Sequence, residues 1–515
     1  MTTIDISNLL SEAETKRFDK LKEILNSTDD HHIVLSPPVS GNDTIYFRLT
    51  DSSSAIRLKP RHIDFSNWKF KVTNEKSARV SFFDMEKRNI DNQPRLLYSD
   101  IHITKSDIDT GNFRHIPELT HGKKLLKVDD LKEWTHRSAL GAEESNFMRE
   151  DIFLIEDGIA INKPIAPYDT PTTAIKYEYC DVADEQPIVM ENLTFLRDPD
   201  SREVFGLINL AWQNDVTFRN IHIGFYKAPT SVYPISKDTV FNIYYSTNVT
   251  FEDITVDQTF SKPRESGYAF YMQALYNITF RNCTAFGNWG VIGSFDLNRV
   301  YLSNCRLNRF DIHCYGRDVR CTNCTFENTL TYVNNQGVLV DNPNRYNQFS
   351  SFYGTLHYQK CTFNNFYPVL LEPSYHTYTG FDIVMEDCAM TPNPVSAIVL
   401  AGFLESGGKR RSEFHKTCWP NIHIIKANMI NLTSDKILYL FYLNESPVNP
   451  QAMTIGYISE LSITTEESSP KPICRFCNYN EIITDNIINT QSCNDAIAIE
   501  NLPASRQAQN QVEED

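Results

Sequence analysis

A short phrase recurs along the middle of this chain: a branched or apolar residue, a polar one, an apolar or aromatic one, a second polar one, then usually Asn or Asp, then Cys or Ile. It reads VTFRNI at Val216–Ile221, VTFEDI at Val249–Ile254, ITFRNC at Ile278–Cys283 and VYLSNC at Val300–Cys305. It continues as VRCTNC at Val319–Cys324, LHYQKC at Leu356–Cys361 and IVMEDC at Ile383–Cys388. Taking the fifth slot as marker (Asn220, Asp253, Asn282, Asn304, Asn323, Lys360, Asp387), the successive steps are 33, 29, 22, 19, 37 and 27 residues. A unit repeating every few tens of residues packs only on its neighbours, so the pattern predicts a solenoid. The aromatic and β-branched bias of the runs, bounded by Asn, Gly and Asp, predicts strands rather than helices. Leucines at the fixed offsets of a leucine-rich repeat are absent.

Composition narrows the classes. The chain has 515 residues, 41% of them hydrophobic and 12% aromatic, enough for a long core. No stretch approaches the roughly 18 uninterrupted apolar residues of a membrane span. The opening residues lack a basic head followed by an apolar run, so no secretory signal is expected. With 65 acidic against 49 basic residues the formal charge is -16. That argues against nucleic acid as a partner, because neutralising phosphates needs a basic face. Five of the twelve cysteines (Cys283, Cys305, Cys324, Cys361, Cys388) share the last slot of the phrase. Equivalent slots stack in a solenoid, so these are expected to form a column of reduced, buried thiols rather than disulfides.

Four stretches follow from these patterns. Residues 1–75 read as a helix at Ser11–Leu25, with Phe18, Leu21, Ile24 and Leu25 at helical spacing, followed by capping strands. Residues 76–150 read as an irregular lobe or insertion with a short helix at Val128–His136. Residues 151–463 carry the regular coils, and 464–515 a weaker pattern ending in an acidic, disordered tail.

The phrase and its spacing resemble the right-handed parallel β-helix superfamily of pectate-lyase-like enzymes and bacteriophage tailspikes. The resemblance implies an all-β, right-handed parallel β-helix solenoid with an N-terminal helix and capping region. The missing signal, the reduced cysteines and the N-terminal helix resemble a phage spike or appendage more than a secreted lyase. What the spike resemblance implies is a virion protein that binds a bacterial surface polysaccharide, meets other tail proteins and assembles as a homotrimer. The Asn-Thr-Asp, Gly-His-Gly and Arg-Ile-Lys signatures of polygalacturonases are missing.

Using the phrase as an alignment ruler places candidate chemistry on the strand before it. In DIHCYGRD, Ile312 and Cys314 suit the core, so alternation puts Asp311, His313 and Tyr315 outside, with Arg317 and Asp318 at the turn. The same parity gives Ser294 and Asp296 in the coil before, and Gln348 and Ser350 in the coil after. Stacked at about 4.8 Å per coil, these residues are expected to form one polar patch. Paired carboxyls cleave glycosides at roughly 5–5.5 Å or 6.5–9.5 Å separation. Asp296, Asp311 and Asp318 are therefore the candidate catalytic acids, with His313 tuning one of them or acting as base. Arg317, Tyr315, Ser294 and Gln348 are candidate substrate contacts, and Glu372 with His376 extend the groove. Lys409, Arg410, Arg411 and His415 suit a loop gripping an anionic sugar, and Tyr268, Tyr271, Trp289 and Tyr375 suit sugar stacking or core packing. Cys474 and Cys477 with Cys493 lack a fourth zinc ligand nearby, so no metal is expected, and no nucleotide or other cofactor motif is present. The favoured activity is glycoside hydrolysis, with a non-catalytic virion module and a polysaccharide lyase as alternatives.

Overall fold

The repeat phrase folds as one strand with a built-in kink. Its first, third and sixth slots are buried in every coil, from Val216, Phe218 and Ile221 to Ile383, Met385 and Cys388. Strict alternation would send the fifth slot inward and the sixth outward. Instead the fifth residue is left-handed, at φ 48° for Asn220, 54° for Asp253, 55° for Asn282, 54° for Asn304, 55° for Asn323, 54° for Lys360 and 56° for Asp387. That single residue turns the chain and returns the sixth side chain to the core. Asn and Asp tolerate this conformation better than other residues with a Cβ, which is why they fill the slot. Their amides also bridge coils: Asn220 donates to the Asn192 side chain at 2.7 Å, and Asn323 to that of Asn304 at 3.3 Å.

The computed structural model describes residues 1–27, 31–50, 55–58, 61–75, 80–86, 103–137, 145–168, 175–182, 186–198, 205–227, 239–257, 268–286, 290–313, 315–327, 331–333, 339–341, 346–349, 352–364, 366–371, 380–391, 398–403, 420–432, 438–443, 455–465, 473–477, 481–489 and 498–502. The chain divides into two compact units, one of residues 1–129, 150–294 and 329–342, the other of 130–149, 295–328 and 343–515.

In the first unit the strands pair parallel and in register, with Val216 beside Val249 and Val249 beside Ile278. The strand Ile188–Arg197 pairs on one side with Asn214–Phe225 and on the other with His62–Asn74. The N-terminal strands are thus the first coils of a parallel β-helix. Its opening core is ringed by Phe47, Phe70 and Phe82, and the helix Glu14–Asn26 buries Phe18, Leu21 and Leu25, with Phe18 edge-on to Phe82 at 4.9 Å.

A second sheet interrupts the coils. The strands Lys123–Arg137, Ser145–Glu156, Ile159–Ala160 and Ile175–Asp181 form a four-stranded sheet around Ile108, Phe113, Leu126, Val128, Phe153 and Tyr168. The helix expected at Val128–His136 is a strand. Every residue from Lys124 to Asp130 is buried. Leu125 packs on one side of this strand and Leu126 and Val128 on the other, a two-sided burial that hides strand alternation from the sequence. A helix does form at Lys105–Thr110, closed by a Thr104–Asp107 capping box and a left-handed Gly111. Because DIFLIEDGIAI belongs to this sheet, the coils resume at Ile188 and not at Asp151. The first resumed phrase is IVMENL at Ile188–Leu193, with Asn192 at φ 61° in the marker slot.

In the second unit Val319 lies beside Leu356, and Leu356 beside Ile383. Parallel pairing continues past the expected end of the coils, through Glu481–Asn489 to Ala498–Leu502. Cys305, Cys324, Cys361 and Cys388 are reduced, buried and stacked, each thiol directed at a backbone carbonyl. Burial pushes the neighbouring Cys321 thiol well above its ordinary range, as expected of reduced core residues.

Lys360 is the one left-handed marker residue among those described that lacks an Asx side chain, and it is exposed. Lys360→Asn is expected to raise stability by up to about 1 kcal/mol, and Lys360→Ile to lower it by about 1–2 kcal/mol. The midpoint of urea unfolding measures both, and an Ile variant as stable as the parent sinks the account of the kink.

Candidate functional site

The residues expected to form an outer polar patch are mostly buried. Asp311 is 0% exposed, and Asp296, His313, Tyr315 and Ser294 are also buried. In the second unit the Asp311 carboxylate accepts from Arg309 Nε at 2.7 Å, and His313 Nε2 stands 4.0 Å from it. His313 packs on Phe295 at 5.3 Å, and the Arg149 guanidinium lies 5.8 Å from the Tyr315 ring. The structure therefore brings Asp311 and His313 together with Arg309, a residue the alignment did not single out. A carboxylate with no accessible surface and a guanidinium on it is in no position to touch a glycosidic oxygen in this conformation.

Asp296, Tyr315 and Asp318 occupy corners. Their φ values are 53°, 51° and 51°, and Trp212, Tyr245 and Ala274 take the same conformation in earlier coils. Asp318 accepts the Thr355 amide at 3.0 Å and the Arg317 guanidinium at 3.3 Å. A Cβ on the left-handed Gly354 would collide with that carboxylate, so glycine is needed there. Asp318 thus staples its corner to the next coil. Gln348 pairs with Asp311 through the backbone, and its side chain lies outside the described residues. Glu372, His376, Trp289, Tyr375 and the Lys409–His415 run also lie outside them.

A different surface emerges on the outward face of the repeat phrase itself. Its second slot points to solvent, and in the first unit it holds Thr217, Thr250 and Thr279 in register. In the second unit the slot changes character. Tyr301, Arg320, His357, Val384, His423, Tyr457 and Ile483 stand side by side on successive strands. Tyr301 is 38% exposed and Ile483 41%, large apolar surfaces to leave in water. Seven strands at 4.7–4.9 Å make this ladder about 29 Å long.

Polar groups flank the ladder and hold it. Arg320 donates to Gln359 at 3.0 Å, and Gln359 donates to Glu386 at 3.1 Å. His357 meets Glu386 at 3.3 Å, His423 lies 3.9 Å from Asp382, and Tyr457 donates to Asp485 at 2.8 Å. Rings, guanidinium and amides fixed in a row on a rigid sheet can stack on the C–H faces of a flat ligand and bond its hydroxyls. Asp382 and Glu386 are four residues apart on one strand, about 13 Å at the Cα atoms. The signal was present in the sequence, since slot two changes from Thr to Tyr, Arg and His.

One buried ionic group has a perturbed carboxyl. In the first unit Lys127 Nζ lies 3.0 Å from Asp129 and 2.8 Å from Glu150, and 4.6 Å from the Tyr245 ring. Gln273 donates to the other Glu150 oxygen at 2.6 Å. Lys127, Asp129 and Glu150 belong to the inserted sheet, Tyr245 and Gln273 to the coils, so the network clasps the sheet onto the coils. Beside it, Leu125, Ile152 and Leu154 pack on Trp212 and Tyr276. Burial opposes the charged form of Lys127, but Glu150 and Asp129 outweigh it and raise its pKa. Burial pushes the Asp129 carboxyl up to about 6 against the pull of Lys127.

A folded pKa above the unfolded value means that Asp129 adds stability below about pH 4, where both states are protonated relative to the ionised form, and loses it as pH rises through 6. Asp129→Asn removes that loss. Its stability relative to the parent is expected to climb between pH 4 and 6 by on the order of 2 kcal/mol, measured as paired urea midpoints. A difference that stays flat over this range contradicts the clasp chemistry.

Comparison with known proteins bears on the fold. No family model matches the chain, and no curated protein matches it. Among solved structures it matches the tailspike gp61 of Pseudomonas phage phi297, at a TM-score of 0.50 and 9% identity, over 95% of this chain and 70% of that one. It also matches the Gp54 tailspike of Acinetobacter baumannii bacteriophage AP22, determined in complex with A. baumannii capsular saccharide, at a TM-score of 0.32 and 10% identity, over 97% of this chain and 76% of that one. The likeness to the phi297 protein is one of architecture: the chain has the parallel β-helix fold of a phage tailspike.

Proposed function

We propose that this chain is a tailspike-type virion protein that binds a bacterial surface polysaccharide along the ladder from Tyr301 to Ile483. The observation that carries the reading is the ladder's continuity: seven successive coils present outward side chains in one register, two of them tyrosines and three of them Arg or His. A polymer lying along the coil axis meets one such side chain about every 4.8 Å, so weak contacts add along its length. On this reading the chain acts in the tail as a homotrimer among other tail proteins.

Depolymerisation is the second reading, favoured by the concentration of buried ionisable groups at Arg309, Asp311 and His313. It requires Asp311 to become accessible when glycan binds, with Asp296 or Asp318 as the partner acid.

Purified host capsule separates the two. Binding by the full chain is expected to fall at least tenfold in Tyr301→Ala combined with Tyr457→Ala, with folding verified by circular dichroism. No new reducing ends are expected. Capsule binding untouched by the double substitution defeats the ladder. Reducing ends that appear with the parent and vanish in Asp311→Asn, while a thermal melt shows that variant folded, establish depolymerisation instead, and absorbance from an unsaturated sugar product assigns it to elimination.

A further inference from the structure

The N-terminal coils carry a second cluster of aromatic and charged side chains, in the first unit. On the strand Thr44–Leu49, Ile45, Phe47 and Leu49 face the core, leaving Thr44, Tyr46 and Arg48 outward. Register places Tyr46 beside Lys71 and Arg48 beside Thr73. Tyr46 is 41% exposed. Its ring meets that of Tyr226 edge-on, with centroids 6.3 Å apart. Tyr226 is locked in place: its hydroxyl donates to Asp198 at 2.7 Å and is 2.8 Å from the Thr73 hydroxyl.

The charges on this face are accounted for, with one exception. Arg48 is paired with Glu75 at 2.6 Å, Lys69 with Asp43 at 2.7 Å and Lys227 with Asp198 at 2.9 Å. His222 meets Asp257 at 2.9 Å. Lys71 has no carboxylate partner among the described residues. Its ammonium donates to the Tyr46 hydroxyl at 3.0 Å and lies 5.0 Å from the Tyr46 centroid and 5.7 Å from that of Tyr226. Burial pushes the Tyr226 hydroxyl up to about 12, so that ring stays a neutral phenol and supplies no counter-charge. An ammonium held between two tyrosines, with every neighbouring carboxylate already engaged, is matched to an anion that also offers an apolar face. In a chain of formal charge -16, such a site captures an anion through the local contact and not through the long-range field.

We propose that Tyr46, Lys71 and Tyr226 form a binding site for a carboxylate-bearing pyranose, with the sugar carboxylate on Lys71 Nζ and a C–H face of the ring on the exposed Tyr46. This site is independent of the ladder, since none of its residues belongs to it.

Calorimetric titration of the full chain with methyl glucuronide, its methyl ester and methyl glucoside tests the assignment, with acetate as competitor. The glucuronide is expected to bind at least tenfold tighter than the ester or the glucoside, and to weaken as salt rises. Lys71→Met should bring the glucuronide down to the level of the ester, Lys71→Arg should keep most of the difference, and Tyr46→Ala should weaken all three ligands. Equal binding of the three, binding by none, or a glucuronide affinity unchanged in Lys71→Met overturns the proposal. Competition by acetate at the glucuronide's own affinity overturns the sugar assignment, because the ring then contributes nothing. Failure of the ladder is read from capsule binding in the Tyr301→Ala, Tyr457→Ala variant and failure here from methyl glucuronide binding in Lys71→Met, so the two are distinguishable.

Discussion

A left-handed residue in the marker slot is the constraint on which the coils from Ile188 to Cys388 depend. A strand that alternates without interruption cannot put two successive core residues at a corner and continue around. The marker residue, near φ 55° from Asn192 to Asp387, absorbs the turn in one step. Once it is in place the sixth slot must be small, buried and stackable, and Cys or Ile satisfies that. Parallel in-register pairing does the rest: slot two of each coil falls in line with slot two of the next, and a row of side chains acquires a straight register that no single coil specifies.

The αL columns also explain why corner residues imitate active sites. Asp215, Asn248, Asn277, Arg299 and Asp318 are all left-handed at equivalent corners, and the side chains of Asn248, Asn277 and Asp318 bond neighbouring coils. A carboxylate in such a place is already spent on backbone and side-chain donors. Asp318 illustrates it, with the Thr355 amide and Arg317 on its oxygens and Gly354 clearing space for it. Buried ionic groups elsewhere serve a different end. Lys127, Asp129 and Glu150 cost desolvation, but together with Gln273 they fix one orientation of the inserted sheet against the coils, where apolar contact alone would allow sliding.

The solenoid and its core were legible because they depend on a period. Phe218, Phe251 and Phe280 announce themselves by recurring, as do the thiols of Cys305, Cys324, Cys361 and Cys388. The inserted sheet was not legible, because its strand at Lys123–Arg137 is covered on both faces around Lys124–Asp130 and shows no alternation. The reach of the coils to Leu502 was missed for a related reason: Glu481–Asn489 pairs through the backbone with few marker residues to signal it. Of the candidate site, the sequence brought Asp311 and His313 together and could not tell that both are buried. Parity says which side of a strand a residue takes, and whether anything covers that side is a tertiary fact.

The ladder departs from what the coil itself requires. Tyr301, His357 and His423 occupy the slot that holds threonine in Thr217, Thr250 and Thr279. Threonine there is what β-propensity alone would select, since a branched polar side chain suits a solvated strand. Tyr, His and Arg in the same geometry add nothing to the kink or to the core. Their large surfaces stand in water at some cost, and the polar groups beside them, Gln359, Glu386 and Asp485, are spent on holding them in orientation. Tyr301 and Ile483 keep 38% and 41% of their surface exposed, as the proposed binding surface requires. Its length along the coil axis, about 29 Å, suits the extended polymer proposed above as its ligand.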